Sequence, residues 1–76
     1  MKLSQGNKEQ TYTIKELGVP KQTQDRLQSL GMTQDTSIEI VQKKHNGTMV
    51  INLRGTRFAL GDQITKNIEV APCQKK

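Results

Sequence analysis

The segment RLQSLGMTQDTSIEIV, residues 26–41, passes from a helical pattern to a strand pattern within a few residues. Leu27 and Leu30 lie three residues apart, so they share one side of a helix. Gly31 stands where a helix cap is followed by a left-handed residue, a conformation that penalises a Cβ. In a Schellman ending, Met32 then packs back on Leu27. The pattern therefore predicts a short helix that stops at Gly31 and leads directly into a strand.

The pair Asn46-Gly47 lies between two alternating segments and is a strong hairpin signal, because both residues tolerate the positive φ of a type I′ turn. With these two residues as the loop, Ile40 faces Leu53 across the hairpin. This register puts the large apolar residues of both strands on one face, namely Ile38, Ile40, Met49, Ile51 and Leu53. The hydrophobic pattern and the turn chemistry therefore predict the same hairpin.

The remaining predicted elements are short. They are a strand in residues 10–17, the helix in residues 21–30 with Pro20 in its first turn, a turn at Gly55-Thr56, a strand through Phe58 and Leu60, a helical turn capped by Asp62 and continuing through Lys66, and a strand through Ile68 and Val70. Five strands with one apolar face each must curl to bury that face. We expect a mainly β fold, a small SH3-like five-stranded barrel with one short α-helix between the first and second strands.

A chain of 76 residues has room for one domain, which we assign to residues 10–70. Residues 1–9 are polar apart from Met1 and Leu3, so we expect a flexible arm there, and residues 71–76 should form a flexible tail. The apolar pattern shows neither a membrane span nor a signal peptide. A single cysteine, Cys73, agrees with a reducing compartment. The expected location is the cytoplasm.

The net charge of +5 could favour nucleic acid, but several basic residues stand beside acids, as in Lys8-Glu9, Lys15-Glu16 and Asp25-Arg26, which also suits an ordinary solvated surface. Single-stranded nucleic acid is bound by stacking on aromatic rings, and alternation places both aromatic residues, Tyr12 and Phe58, on the buried face. The buried aromatic residues therefore argue against nucleic-acid binding, and a small basic barrel that binds nucleic acid is kept as the alternative function because of the positive charge.

Catalytic and metal-binding signatures are missing from the sequence. His45 falls at a hairpin tip, Cys73 in the tail, and the carboxylates are scattered, so no metal-ligand spacing occurs. The stretch GTRFALGD has two glycines but lacks the Gly-Lys-Ser/Thr ending of a phosphate loop. We expect neither an enzyme nor a cofactor or metal, which leaves a surface that binds another protein.

The order of motifs resembles a known family. A strand, a helix ending in RLQSLGM, the strand SIEIV, an Asn-Gly hairpin, MVINLRG, RFAL and a final NIEV together resemble FeoA, the small cytosolic component of bacterial ferrous iron uptake. The resemblance extends from about Tyr12 to Val70. It implies an SH3-like fold and an accessory role toward FeoB, the membrane transporter with a cytosolic G-protein domain, acting on its assembly or its GTPase cycle.

A partner surface is expected at the helix end and the neighbouring barrel edge. We predict contacts with FeoB by Leu30 or Met32, one of which should be partly exposed, beside Gly31. The charge that steers docking should come from Lys43, Arg54 and Arg57. The competing interpretation is that Leu27 and Leu30 belong to the core and that capping alone explains Gly31. Binding of nucleic acid and insertion into the membrane are not expected, although the partner would hold the protein at the inner membrane.

Overall fold

Alternation of apolar and polar residues produces five strands that pair into one antiparallel sheet. The structure is a computed structural model and describes residues 1–72. Its elements are a 3₁₀ turn at Leu3–Gln5, β1 (Thr11–Leu17), α1 (Lys21–Ser29), β2 (Ser37–Lys43), β3 (Met49–Leu53), β4 (Thr56–Leu60), α2 (Asp62–Thr65) and β5 (Ile68–Pro72). The strand order is β4-β3-β2-β1-β5. The predicted mainly β fold with a helix between the first two strands is confirmed.

One hydrophobic core lies on the inner face of this sheet. The fully buried side chains at its centre include Ile14, Ile38, Ile40, Met49, Ile51, Leu53, Ile68 and Val70. Tyr12 is also buried, and its hydroxyl accepts a hydrogen bond from the Asn7 N–H at 2.8 Å, which satisfies the polar end of the ring. All five apolar residues that the hairpin pattern assigned to one face are therefore in the core.

Helix α1 ends in the Schellman motif that the sequence predicts. Gly31 has φ +104°, its N–H donates to the Gln28 carbonyl at 3.0 Å, and the Met32 N–H donates to the Leu27 carbonyl at 3.0 Å. Both Leu27 and Met32 are buried. The stop signal thus also sets the packing of the residue that follows the glycine.

The β2–β3 hairpin has a different register from the predicted one. Lys44 and Thr48 face each other across a three-residue loop, and a bulge after Ile40 brings Ile40 opposite Ile51 rather than Leu53. Within this loop only Gly47 has a positive φ, +90°, so Asn46 does not adopt the left-handed conformation that a type I′ turn would require. The bulge restores the inward orientation of the apolar residues despite the longer loop.

Three other boundaries move by one residue. The β3–β4 turn consists of Arg54 and Gly55, with φ values of +53° and +85°, instead of Gly55-Thr56. Two positive φ values match the twist of the flanking strands, and this preference outweighs the cost of a left-handed arginine. Pro20 is the N-cap of α1 rather than part of its first turn, and Gly61 rather than Asp62 is the N-cap of α2.

The expected flexible arm at residues 1–9 is instead packed against the sheet. Leu3 has no exposed surface, and Lys2 forms a β-bridge with Glu69. The N-terminal amine donates to the Glu69 carboxylate at 2.6 Å and to the Val70 carbonyl at 3.1 Å. This amine, and after it the Lys2 ammonium, lower the pKa of the Glu69 carboxyl below its ordinary value by hydrogen bonding.

At the other end of the expected domain, β5 continues through Ala71 to Pro72, beyond the predicted boundary at residue 70. The rest of the expected flexible tail, residues 73–76 with Cys73, lies outside the described residues. The prediction of a flexible tail is therefore corrected only for the first two of its residues.

Two turn glycines offer a matched test of this packing. A Cβ on Gly47 would lie 2.8 Å from the Asp62 Cβ, whereas a Cβ on Gly55 would meet no atom within 4 Å. Gly47→Ala and Gly55→Ala should each lose about 1 kcal/mol of unfolding free energy from the left-handed backbone. Gly47→Ala should lose roughly 1 kcal/mol more, because the hairpin tip must move away from α2. Urea denaturation measures both, and equal losses would show that the tip is not packed there.

Candidate functional site

The end of α1 presents an exposed apolar side chain. Leu30 is 44% exposed, and only one other large apolar residue among residues 1–72, Met1, is classed as exposed. Leu30 is the C-cap, with φ −84° and ψ −6°, whereas Leu27 three residues earlier is buried. The interpretation that both leucines belong to the core is therefore correct for Leu27 and wrong for Leu30.

Met32 does not reach the surface. Its side chain is fully buried, because the Schellman motif folds the chain back so that Met32 packs under the helix end. Of the two side chains that the sequence offered as exposed, only Leu30 is available to a partner. A direct contact of Met32 with another protein is thus corrected to a role in the core.

The helix end lies next to the β3–β4 turn. A Cβ on Gly31 would be 3.4 Å from the Leu53 Cδ2, so the backbone at Gly31 lies against the last residue of β3. Arg54 follows Leu53 directly, and its side chain is exposed. Arg57 is also exposed, on β4 just beyond the turn. The structure therefore brings Leu30 and Gly31 together with the turn that carries Arg54, with Arg57 on the adjoining strand.

Lys43 belongs to a different part of the surface. It pairs with Met49 at the start of β3, while Leu53 is at the end, about 14 Å away for four residues of strand. Its ammonium donates to the Gly6 carbonyl at 2.8 Å, which ties the end of β2 to the N-terminal segment. Lys43 is thus separated from the helix end.

The charge pattern contains a feature that the sequence prediction missed. Residues 40–61 include Lys43, Lys44, Arg54 and Arg57 but no aspartate or glutamate. This stretch covers the end of β2 and all of β3 and β4, so one side of the sheet is built from a segment without carboxylates. The missed signal is the long interval without any acidic residue between Glu39 and Asp62, which is not apparent when each charged residue is compared only with its neighbours.

A groove of about 320 Å³ separates β1 from α1. Its lining is mostly polar and consists of Ile14, Lys15, Glu16, Leu17, Gln24, Gln28 and Gln34. The Gln24 amide donates to the Leu17 carbonyl at 2.9 Å and to the Val19 carbonyl at 3.0 Å, which holds the strand against the helix. The groove therefore offers hydrogen-bonding groups to a ligand. A metal site would require a cluster of His, Cys, Asp or Glu side chains, and no group of three such side chains occurs in residues 1–72.

The aromatic residues do not form an open stacking surface in the described chain. Tyr12 is 4% exposed and its hydroxyl is already bonded, while Phe58 packs against the core and is half-buried. His45 is exposed at the hairpin tip. Neither α-helix in residues 1–72 has the length and hydrophobicity needed to cross a lipid bilayer.

Comparison with known proteins agrees with this architecture. The FeoA domain matches residues 1–72. FeoA from Chlorobium tepidum superimposes with a TM-score of 0.90 at 17% identity, covering 97% of this chain and 71% of that chain. Iron(II) transport protein A from Clostridium thermocellum gives a TM-score of 0.86 at 29% identity, covering 95% of this chain and 45% of that chain. No curated protein matches the sequence significantly.

The description of a third similar structure identifies its fold. FeoA from Stenotrophomonas maltophilia, solved with zinc and described as a prokaryotic SH3-domain protein, gives a TM-score of 0.79 at 22% identity and covers 93% of this chain and 89% of that chain. The predicted SH3-like fold is therefore confirmed. Because the FeoA domain matches almost the whole sequence and the same fold is shared with several FeoA structures, the chain belongs to the FeoA family.

Proposed function

We propose that the protein is an accessory component of bacterial ferrous iron uptake that docks on the cytosolic side of the FeoB transporter and modulates its assembly or GTPase cycle. Membership of the FeoA family supports the role in ferrous iron transport. The observation that carries the docking proposal is Leu30, a large apolar side chain exposed at a helix end in a protein whose other leucines are buried.

An exposed leucine beside basic residues has the composition of a small binding surface. Partner contacts usually concentrate in a few apolar anchors surrounded by polar and charged groups. The hydrogen bonds that close α1 fix the backbone around Leu30, so little conformational freedom is lost when a partner covers it. Arg54 and Arg57 then supply the positive charge that accelerates encounter with an acidic patch on FeoB.

The proposed role is accessory rather than enzymatic. The hydroxyl beside Leu30, that of Ser29, donates its proton to the Asp25 backbone carbonyl at 2.9 Å rather than to a general base that would activate it. We place the protein in the cytoplasm, held at the inner membrane through FeoB. Any effect on GTP turnover would then arise from contact with the transporter's own G-protein domain.

Leu30→Asp is expected to weaken docking strongly and leave the fold intact. Leu30 is already 44% exposed, so a charge there is solvated, whereas a partner that buries it would have to desolvate a carboxylate. We expect at least a tenfold loss of affinity for FeoB-containing membranes, about 1.4 kcal/mol or more. Leu30→Met keeps an apolar side chain and should bind normally.

The measurement is co-sedimentation of each variant with membranes that contain FeoB and with membranes that lack it, together with a thermal unfolding curve. A folded Leu30→Asp protein that binds as well as the wild type would contradict docking through the end of α1. A wild-type protein that binds both kinds of membrane equally would contradict the FeoB partnership itself.

The alternative function, binding of nucleic acid, is supported by the carboxylate-free stretch at residues 40–61. Such binding would depend steeply on salt, because it releases counterions from the phosphate backbone. Fluorescence anisotropy with single-stranded RNA and DNA, at 50 and 200 mM salt, distinguishes the two functions. Tight binding at the lower salt that weakens sharply at the higher one would favour the alternative.

A further inference from the structure

The outer edge of β4 is a free sheet edge. In the described chain β4 pairs only with β3, along five consecutive residue pairs from Leu53↔Thr56 to Met49↔Leu60. The two-residue turn makes Leu53 and Thr56 a hydrogen-bonded pair, and hydrogen bonding alternates along an antiparallel ladder. The backbone N–H and C=O groups of Arg57 and Ala59 therefore point away from β3.

The opposite edge of the sheet is covered. The Val70 N–H of β5 donates to the Met1 carbonyl at 2.7 Å, and Lys2 forms a β-bridge with Glu69. The strand also ends in Pro72, which has no N–H to offer. Natural proteins usually protect sheet edges with prolines, bulges, covering segments or charged side chains, and within residues 1–72 β4 has only the last of these, Arg57.

Charge indicates what would pair with this edge. Arg54 precedes β4 and Arg57 lies within it, and neither guanidinium takes part in an ion pair or a side-chain hydrogen bond with another group in residues 1–72. The surrounding stretch of residues 40–61 has no carboxylate. A second copy of the chain would bring four arginines together between two molecules of charge +5, which repel each other.

We infer that β4 receives an extended acidic segment of the partner protein as a sixth strand, with the segment's carboxylates beside Arg54 and Arg57. The backbone groups of Arg57 and Ala59 would supply the main-chain hydrogen bonds, as in other cases of strand addition. This inference rests on the proposed function, since the partner is FeoB. It places an extended segment along β4 next to the contact at Leu30.

Ala59→Pro tests the main-chain contact. Proline removes one outward N–H without breaking a bond to β3, and edge strands tolerate it at such positions. We expect affinity for FeoB-containing membranes to fall at least tenfold. Ala59→Val, which keeps the N–H and suits a strand, should bind within twofold of the wild type. Equal affinities of the proline and valine variants, both folded by circular dichroism, would overturn the inference.

Arg57→Glu tests the charge. It should lower affinity at least tenfold at 50 mM salt, and the loss should shrink at 300 mM salt. Lys8→Glu is the matched control, since it changes net charge equally from the exposed turn before β1, and it should alter affinity less than threefold. If both variants weaken binding to the same extent, net charge alone is responsible and the acidic segment at β4 is contradicted.

Hydrogen exchange measured on the wild-type protein does not depend on whether any variant folds. The amides of Arg57 and Ala59 should exchange rapidly in the free protein and become protected in the complex, while the Phe58 amide is protected in both. Binding without new protection at Arg57 and Ala59 would overturn strand addition but leave the proposed function standing. Protection of these two amides that increases with protein concentration alone would point to a second copy instead and overturn the acidic segment.

Discussion

Met32→Asp should remove much of the protein's free energy of unfolding. Met32 has no exposed surface, and it is held under the end of α1 by the hydrogen bond from its N–H to the Leu27 carbonyl. A carboxylate there must either be buried without a partner or push the helix end off the sheet. The cost is expected to be about 4 kcal/mol or more, against a total stability of roughly 5–10 kcal/mol for a domain of this size.

Urea denaturation followed by far-UV circular dichroism measures this loss. Met32→Leu is the control, because it keeps an apolar side chain of similar volume and should cost less than about 1.5 kcal/mol. The comparison with Leu30→Asp is informative, since the two positions flank the same glycine but differ completely in exposure. A Met32→Asp protein as stable as Leu30→Asp would mean that Met32 is not a core residue.

Leu3→Ala should cost about 2–4 kcal/mol, the usual penalty for truncating a fully buried leucine. Leu3 is fully buried in the 3₁₀ turn that packs against β5 and α2. This loss would be unexpected for a flexible arm, where truncation of one side chain has almost no effect. Lys8→Ala, in the exposed turn that follows, should change the unfolding free energy by less than about 0.5 kcal/mol.

The same urea titration measures both substitutions, and the slope of unfolding free energy against denaturant gives a second readout. If Leu3 only fills space in the core, the urea concentration at the unfolding midpoint should fall while the slope of unfolding free energy against urea concentration stays constant. Similar midpoints for Leu3→Ala and Lys8→Ala would show that the N-terminal segment is not part of the folded unit.

Periodicity was sufficient to predict the fold class and much of the core. Strict alternation identified the inward face of the strands, and Gly31 after Leu27 and Leu30 predicted the helix stop and the packing of Met32 against Leu27. These features are local, so residues close in sequence decide them. Leu3 was missed because a single leucine among polar residues shows no period, and its burial depends on β5, more than sixty residues away.

Turn geometry was less predictable for a related reason. The dipeptide Asn-Gly is compatible with both a two-residue and a three-residue loop, and the choice depends on whether a bulge elsewhere in the strand can restore the inward face. Here the bulge after Ile40 does so. For the candidate site, sequence reasoning could name Leu30 and Met32 together, but only the folded cap shows which one is exposed.

The free edge of β4 could not be predicted from the sequence. Each strand can be recognised by its own pattern, but the pattern does not say which strands lie at the sheet edges, and a closed barrel would have had none. The order β4-β3-β2-β1-β5 is a property of the assembled sheet. The run without carboxylates at residues 40–61 was visible in the sequence, but it acquired meaning only beside that edge.

The pairing of β1 with β5 has a consequence for synthesis on the ribosome. Leu17 pairs with Ile68, so about fifty further residues must be synthesised before β1 can pair with β5, its second neighbouring strand. Until then the growing chain can form α1 and the β2–β3–β4 hairpins, which depend on contacts between nearby residues. Ile14 and Leu3 remain without their final packing during that interval. Cooperative folding is therefore completed only after β5 has emerged, and the nascent chain carries its hydrophobic inner face unprotected until that moment.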